Sequence, residues 1–202
     1  MPHLIKPVRT PVTRRRVGRR ALFAALLATL AAGGDWARSL AQSDLQLAEY
    51  KVKAAFLYKF ASYVEWPPQV FERRESPFVI GVAGAEPLRD ELARLVAGRS
   101  IDGRPVEVRG LRRGEAVSGL HILFVGRLDH GQPADALASA KGRPVLTVTE
   151  SEDTFALGSV INFVIVDDKV RFDVALREAE LANLKVSARL LAVARKVLGG
   201  PS

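Results

Sequence analysis

The chain has no cysteine in 202 residues. Thiol nucleophiles, disulfide redox switches and Cys-ligated zinc are therefore excluded. Histidine is nearly as scarce, with three in all. His121 opens an apolar run, and His130 sits in a turn beside Asp129 and Gly131. The pair does not form H-x-x-x-H and has no third ligand near it in sequence, so both read as structural residues rather than metal ligands. No G-x-S-x-G nucleophile elbow is present. Gly81-Val82-Ala83-Gly84 stands where a phosphate loop would, but lacks the third glycine and a following Lys-Ser/Thr. It reads as a βα turn that needs small residues. Glu150, Glu152 and Asp153 lack the ligand alternation and glycine of an EF-hand, and read as a solvated loop. These absences lead to the expectation of no catalytic residues, no metal and no cofactor.

Acidic residues are missing from the first 20 positions, which hold Lys6, Arg9, Arg14, Arg15, Arg16, Arg19 and Arg20. An apolar run, 21–32, follows, then the small-residue site Ser39-Leu40-Ala41. Basic, apolar, small is the order of a secretory signal peptide. Twelve apolar residues would span about 18 Å as a helix, short of the roughly 30 Å a hydrocarbon core requires. Residues 1–41 are therefore expected to be a leader cleaved near Ala41, which delivers residues 42–202 to the periplasm. Arg19-Arg20 suits a twin-arginine signal as well as the general secretory route. Those 41 residues hold eight of the 30 basic and one of the 22 acidic residues. The remaining 161 carry 22 and 21, a net +1. The basic balance belongs to the leader, and no nucleic-acid partner is expected.

The expected mature chain is long enough for one domain with a single core. Apolar residues at spacings of three and four predict a helix over 44–66, ended by Pro67 and Pro68, with Glu49 and Lys53 paired on its solvent side. Apolar runs at 78–84 and 120–126 and the stretch 144–149 read as buried strands, and 105–111 alternates like a strand with one wet face. Helical periods occupy 86–97 and 133–140. Residues 159–166 and 169–176 flank Asp167-Asp168 and read as a β-hairpin. A helical period then covers 177–197. The expected fold is α/β: a single domain with a mixed β-sheet packed by helices, a long N-terminal helix, and a C-terminal hairpin followed by a helix.

The aromatic stretch Lys53–Pro67 carries Phe56, Tyr58, Phe60 and Tyr63 before Trp66. Phe56 and Phe60, one turn apart, are assigned to the core. Tyr58, Tyr63 and Trp66 pair an apolar body with a polar tip, the chemistry enriched at interfaces. Arg171 and Asp173 share one face of the hairpin arm, with Asn162 on the partner arm. The candidate partner- or ligand-binding residues are Tyr58, Tyr63, Glu65, Trp66, Asn162, Arg171 and Asp173. Either a protein partner meets them, or Tyr58, Trp66, Asn162 and Arg171 line a small-ligand pocket.

Six segments in order carry a resemblance. KAAFLYKFASYVEWP (53–67), HILFVG (121–126), PVLTVTE (144–150), VINF (160–163), VRFDV (170–174) and NLKVSARLLAVARKV (183–197) resemble the YfiR-like family of exported bacterial domains. The resemblance runs from about Tyr50 to Leu198. It implies a non-enzymatic periplasmic regulator that represses the periplasmic part of an inner-membrane signalling protein such as a diguanylate cyclase, and so acts on cyclic-di-GMP and biofilm formation. It also implies an outer-membrane lipoprotein that sequesters the repressor. A homodimer is a further expectation. The alternative it leaves is a ligand-binding module beside a sensor kinase or transport system. The chain departs from the family at Leu120, where cysteine is common, at Leu157-Gly158-Ser159, and at Asp173, where glutamate is usual.

Overall fold

The computed structural model describes residues 44–73, 75–127 and 132–199. The expected leader, and His130 with its turn, lie outside the described residues. Residues from Leu45 onward form one compact unit.

The unit is a mixed sheet of eight strands with helices on both faces. In chain order the first elements are helix α1 (44–60), β1 (Val64–Glu65), a 3-10 turn (Pro68–Val70), β2 (Phe78–Ala83), α2 (Glu86–Val96), β3 (Ser100–Ile101) and β4 (Arg104–Leu111). Then come β5 (Ile122–Val125), α3 (Gln132–Ala140), β6 (Leu146–Thr149), α4 (Glu152–Phe155), β7 (Ile161–Val166) and β8 (Lys169–Ala175). The chain closes with α5 (Leu176–Leu181), β9 (Lys185–Val186), α6 (Ala188–Val193) and β10 (Lys196–Leu198). The large sheet has the order β10-β8-β7-β6-β5-β2-β4-β3, and β1 pairs with β9 in a small ladder of its own.

The central strands β7, β6, β5, β2 and β4 run parallel. Parallel strands are covered on both faces, which is why β5 and β6 are apolar or buried at every position. Alternation then divides their side chains between two cores. Ile122 and Phe124 join Ile80, Leu146, Phe163 and Phe172 under α1 and α2. Leu123 and Val125 face the other way, against Val117, Leu120 and Leu137. The turn at Gly84 requires small residues, as expected: its φ is +72°, and a Cβ on Gly126 would stand 2.8 Å from its carbonyl oxygen. The expected hairpin is present, paired from Ile161 opposite Val174 to Val166 opposite Lys169. Asp167 and Asp168 both take positive φ, +49° and +55°, the conformation of a two-residue primed turn.

Two helix predictions need correction. The first helix ends at residue 60, not 66. Val64 and Glu65 leave it to pair with Val186 and Lys185. The single helix expected over 177–197 is instead α5, β9, α6 and β10. Asn183 breaks it with φ +53°, β9 is claimed by β1, and Ser187 restarts a helix by accepting from the Leu190 amide at 3.3 Å. Short helices and strands with apolar residues every three or four positions imitate one long helix, and only the long-range pairing separates them.

Candidate partner-binding surface

The aromatic side chains of the segment are nearly all tied down. Phe60 is fully buried, and its ring meets Phe163 and Phe172 at 5.8 and 5.1 Å. Phe56 stacks beside it at 5.9 Å, half-buried. Tyr58 donates its hydroxyl to the Ser100 carbonyl at 3.2 Å, and the Arg99 guanidinium lies 5.5 Å from its ring. Trp66 donates Nε1–H to the His121 carbonyl at 3.1 Å and sets its ring edge-on to Phe78. Tyr63 keeps an exposed ring while its carbonyl accepts from the Ser187 amide. Glu65 is exposed opposite Lys185. Glu65 and Trp66 line a cavity of about 260 Å3 with Phe71, Phe78 and Arg104.

His121 packs against two of the aromatic residues that line this cavity, Phe71 and Phe78. Its ring lies against Phe71 at 4.5 Å and Phe78 at 4.7 Å, and its Nδ1 accepts from the Val79 amide at 3.0 Å. The Arg104 guanidinium caps the stack, 3.9 Å from the Phe71 centroid. Burial lowers the His121 pKa to about 4, and the nearby Arg104 charge adds to it. The ring is therefore neutral at pH 7, in the structural role expected for it.

Lys53 makes two ionic contacts. Lys53 pairs with Glu49 as expected, but inside the protein and not on a solvent face. Its ammonium also meets Glu150 Oε2 at 2.5 Å, and Glu150 Oε1 accepts from the Arg127 amide at 3.1 Å. Glu150 is thus a buried staple between α1 and the end of β6, not part of a solvated loop. Glu152 and Asp153 are exposed as expected, but they form the first turn of helix α4 and not a loop. Lys53 and Glu150 stand 97 positions apart, and no local pattern marks such a pair.

The hairpin residues divide. Asn162 and Asp173 face each other across the ladder and are both buried. Asn162 Oδ1 accepts from Thr149 Oγ1 at 2.9 Å, and Nδ2 has no hydrogen-bond partner among the described residues. Asp173 is gripped by both forks of Arg195, with Nε to Oδ1 at 2.8 Å and Nη2 to Oδ2. Arg195 follows α6, and nothing in its sequence neighbourhood marks it as a partner for β8. Arg171 alone of the three is exposed. Of the residues offered as one ligand pocket, Trp66 lines the cavity beside Phe71 and Phe78, Arg171 lines another, Tyr58 is bonded to β3 and Asn162 lies within the sheet.

The cavity that Arg171 lines is a groove of about 680 Å3 between the first half of α1 and the hairpin tip. Leu45, Val52, Phe56, Ile165 and Val170 line it, with Glu49, Asp168 and Lys169 among its charged groups. Leu45 is 72% exposed, Ile165 48% and Val52 44%. The adjoining sheet edge is open: β10 pairs with Asp173–Ala175 of β8, which leaves Lys169–Arg171 without a ladder partner on that side among the described residues.

Among the described residues, no group of three or more His, Cys, Asp or Glu side chains is placed to hold a metal ion, and no helix is long and apolar enough to cross a membrane. Fold and surface together define an α/β domain whose polar aromatic tips are mostly internal and which exposes Leu45, Val52 and Ile165 together along one open groove. A family model described as YfiR/HmsC-like matches residues 50–195, and the chain belongs to that family, which is regulatory rather than catalytic.

Proposed function

We propose that this protein is a periplasmic regulator that binds and represses the periplasmic part of an inner-membrane signalling protein such as a diguanylate cyclase. The observation that carries the reading is membership of the YfiR/HmsC-like family over residues 50–195. The export-type N-terminus, basic then apolar, supports the compartment. The groove at Leu45, Val52 and Ile165 supports the mode. Contiguous exposed apolar surface marks an interaction site, and an open strand edge beside it adds main-chain donors and acceptors for a partner's strand or loop. An outer-membrane lipoprotein that competes for the same surface would release the signalling protein.

Deleting the gene raises cellular cyclic-di-GMP, and tagged protein recovers an inner-membrane protein from solubilised membranes. An unchanged cyclic-di-GMP level together with an empty pull-down overturns the proposal.

A further inference from the structure

The second face of the sheet holds a cleft unconnected with the α1–hairpin groove. β2 presents Val79, Gly81 and Ala83 to that face, two of them too small to fill it. At Gly81 the space is taken by the crossing chain, since a Cβ there would stand 2.6 Å from Leu120. At Ala83 it is not. A cleft of about 350 Å3 opens between residues 112–118 and α3, with Ala83, Leu111, Val117 and Ala136 as its apolar lining. Pockets for small molecules run from about 300 to 1,000 Å3, so this is room for a compact one.

The charged groups around this cleft are unevenly matched. Arg112, Arg113 and Arg143 face Glu115 and Asp135. Glu115 accepts from the Arg112 backbone amide at 3.0 Å, and Asp135 has Arg113 at a long 3.9 Å. The guanidiniums of Arg112 and Arg143 make no hydrogen bond or ion pair among the described residues. Ala83 and Leu111 are the last residues of the parallel strands β2 and β4. The connections diverge beside β2, between β2 and β5: β2 leads through α2 to β4 on one side, and β5 through α3 to β6 on the other. Open α/β sheets collect ligands outside the carboxyl ends of their strands at such a divergence.

We propose that this cleft binds a small organic anion. One carboxylate, phosphate or sulfonate group would sit between Arg112 and Arg143, where planar guanidiniums offer paired donors. A short apolar body would lie on Ala83, Leu111 and Val117. The site would give the regulator a chemical input separate from its partner surface, because it shares no residue with the α1–hairpin groove.

The test uses the purified protein and two dyes. Anilinonaphthalene sulfonate carries an anion on an apolar body, and N-phenyl-1-naphthylamine has the same body without the charge. The expected result is saturable one-to-one sulfonate binding, weakened at least about tenfold in the Arg112→Gln/Arg143→Gln variant, with the neutral dye unaffected. Ser139→Phe, at an exposed position on the cleft wall, abolishes binding of the sulfonate while both arginines remain. On the unaltered protein, benzoate displaces the sulfonate at lower concentration than acetate does, which reports the apolar floor without any substitution. The proposal is overturned if the double variant binds the sulfonate as tightly as the parent, or if benzoate and acetate compete equally. Either failure leaves the partner reading intact, since that rests on cyclic-di-GMP and membrane-protein recovery.

Discussion

The two halves of α1 are built for different purposes. Its second half, with the segment that follows, carries the large aromatics, and nearly every one is satisfied within the protein. Tyr58 is bonded to Ser100, Trp66 to His121, and Phe60 is sealed between Phe163 and Phe172. Its first half carries Leu45 and Val52, smaller and less conspicuous, and these stay in solvent beside Ile165. Aromatic density marks where the sheet is gripped. Aliphatic exposure marks where the surface is open. Between the halves sits Lys53, whose buried contacts to Glu49 and Glu150 fix the helix on the sheet.

That contrast can be tested from the anchored side first. Phe60→Ala removes a fully buried ring from the core and should cost about 3–5 kcal/mol of stability, read from urea denaturation. Lys53→Met leaves Glu150 buried without its cation and should cost a comparable amount, about 3–5 kcal/mol. A loss below about 1 kcal/mol for either would mean that the second half of α1 is not the anchor.

His121 offers a pH test of the same region. Its folded pKa of about 4 lies below the ordinary 6.5. Between those values the unfolded chain binds a proton that the folded chain refuses. The His121 contribution to stability is therefore complete above pH 6.5 and declines as pH falls towards 4, by up to about 1.4 kcal/mol per pH unit. His121→Asn keeps an acceptor for the Val79 amide but cannot titrate. Its denaturation midpoint should fall less than the parent's between pH 7 and pH 4.5, and parallel profiles would remove His121 from the account.

Smaller effects separate the two sides. Trp66→Phe keeps the ring on Phe78 and loses the bond to the His121 carbonyl, a loss of about 1 kcal/mol. Val52→Asp and Ile165→Asp, at exposed positions, should change stability by no more than about 0.5 kcal/mol. They should nevertheless abolish recovery of the membrane partner. If Trp66→Phe abolished recovery and Ile165→Asp did not, the roles of the two halves would be reversed.

Much of the fold was legible from local pattern. β2, β5 and β6 show as apolar or buried runs, and Asp167-Asp168 between alternating arms marks the hairpin. The C-terminal segment was not legible, because apolar residues every three or four positions suit one long helix as well as α5, β9, α6 and β10 in succession. At the candidate surface, Tyr58 and Trp66 stood out for the right chemistry, an apolar body with a polar tip. Their tips turned out to be bonded inward, while Leu45, Val52 and Ile165 carried no distinguishing signal. Asp173 was singled out, but its burial and its grip by Arg195 depend on β10 returning beside β8.

The sequence by itself determined the class of fold, the apolar strands at the centre of the sheet, the near neutrality of residues 42–202 and the absence of cysteine chemistry. These follow from composition and from periods of two and 3.6 residues, which act over one element at a time. Only the tertiary structure decided where α1 ends, that Lys53 and Glu150 meet across 97 positions, and which apolar residues remain in solvent. Burial and ion pairing depend on what the rest of the chain brings to a given point in space, and local spacing carries no record of that.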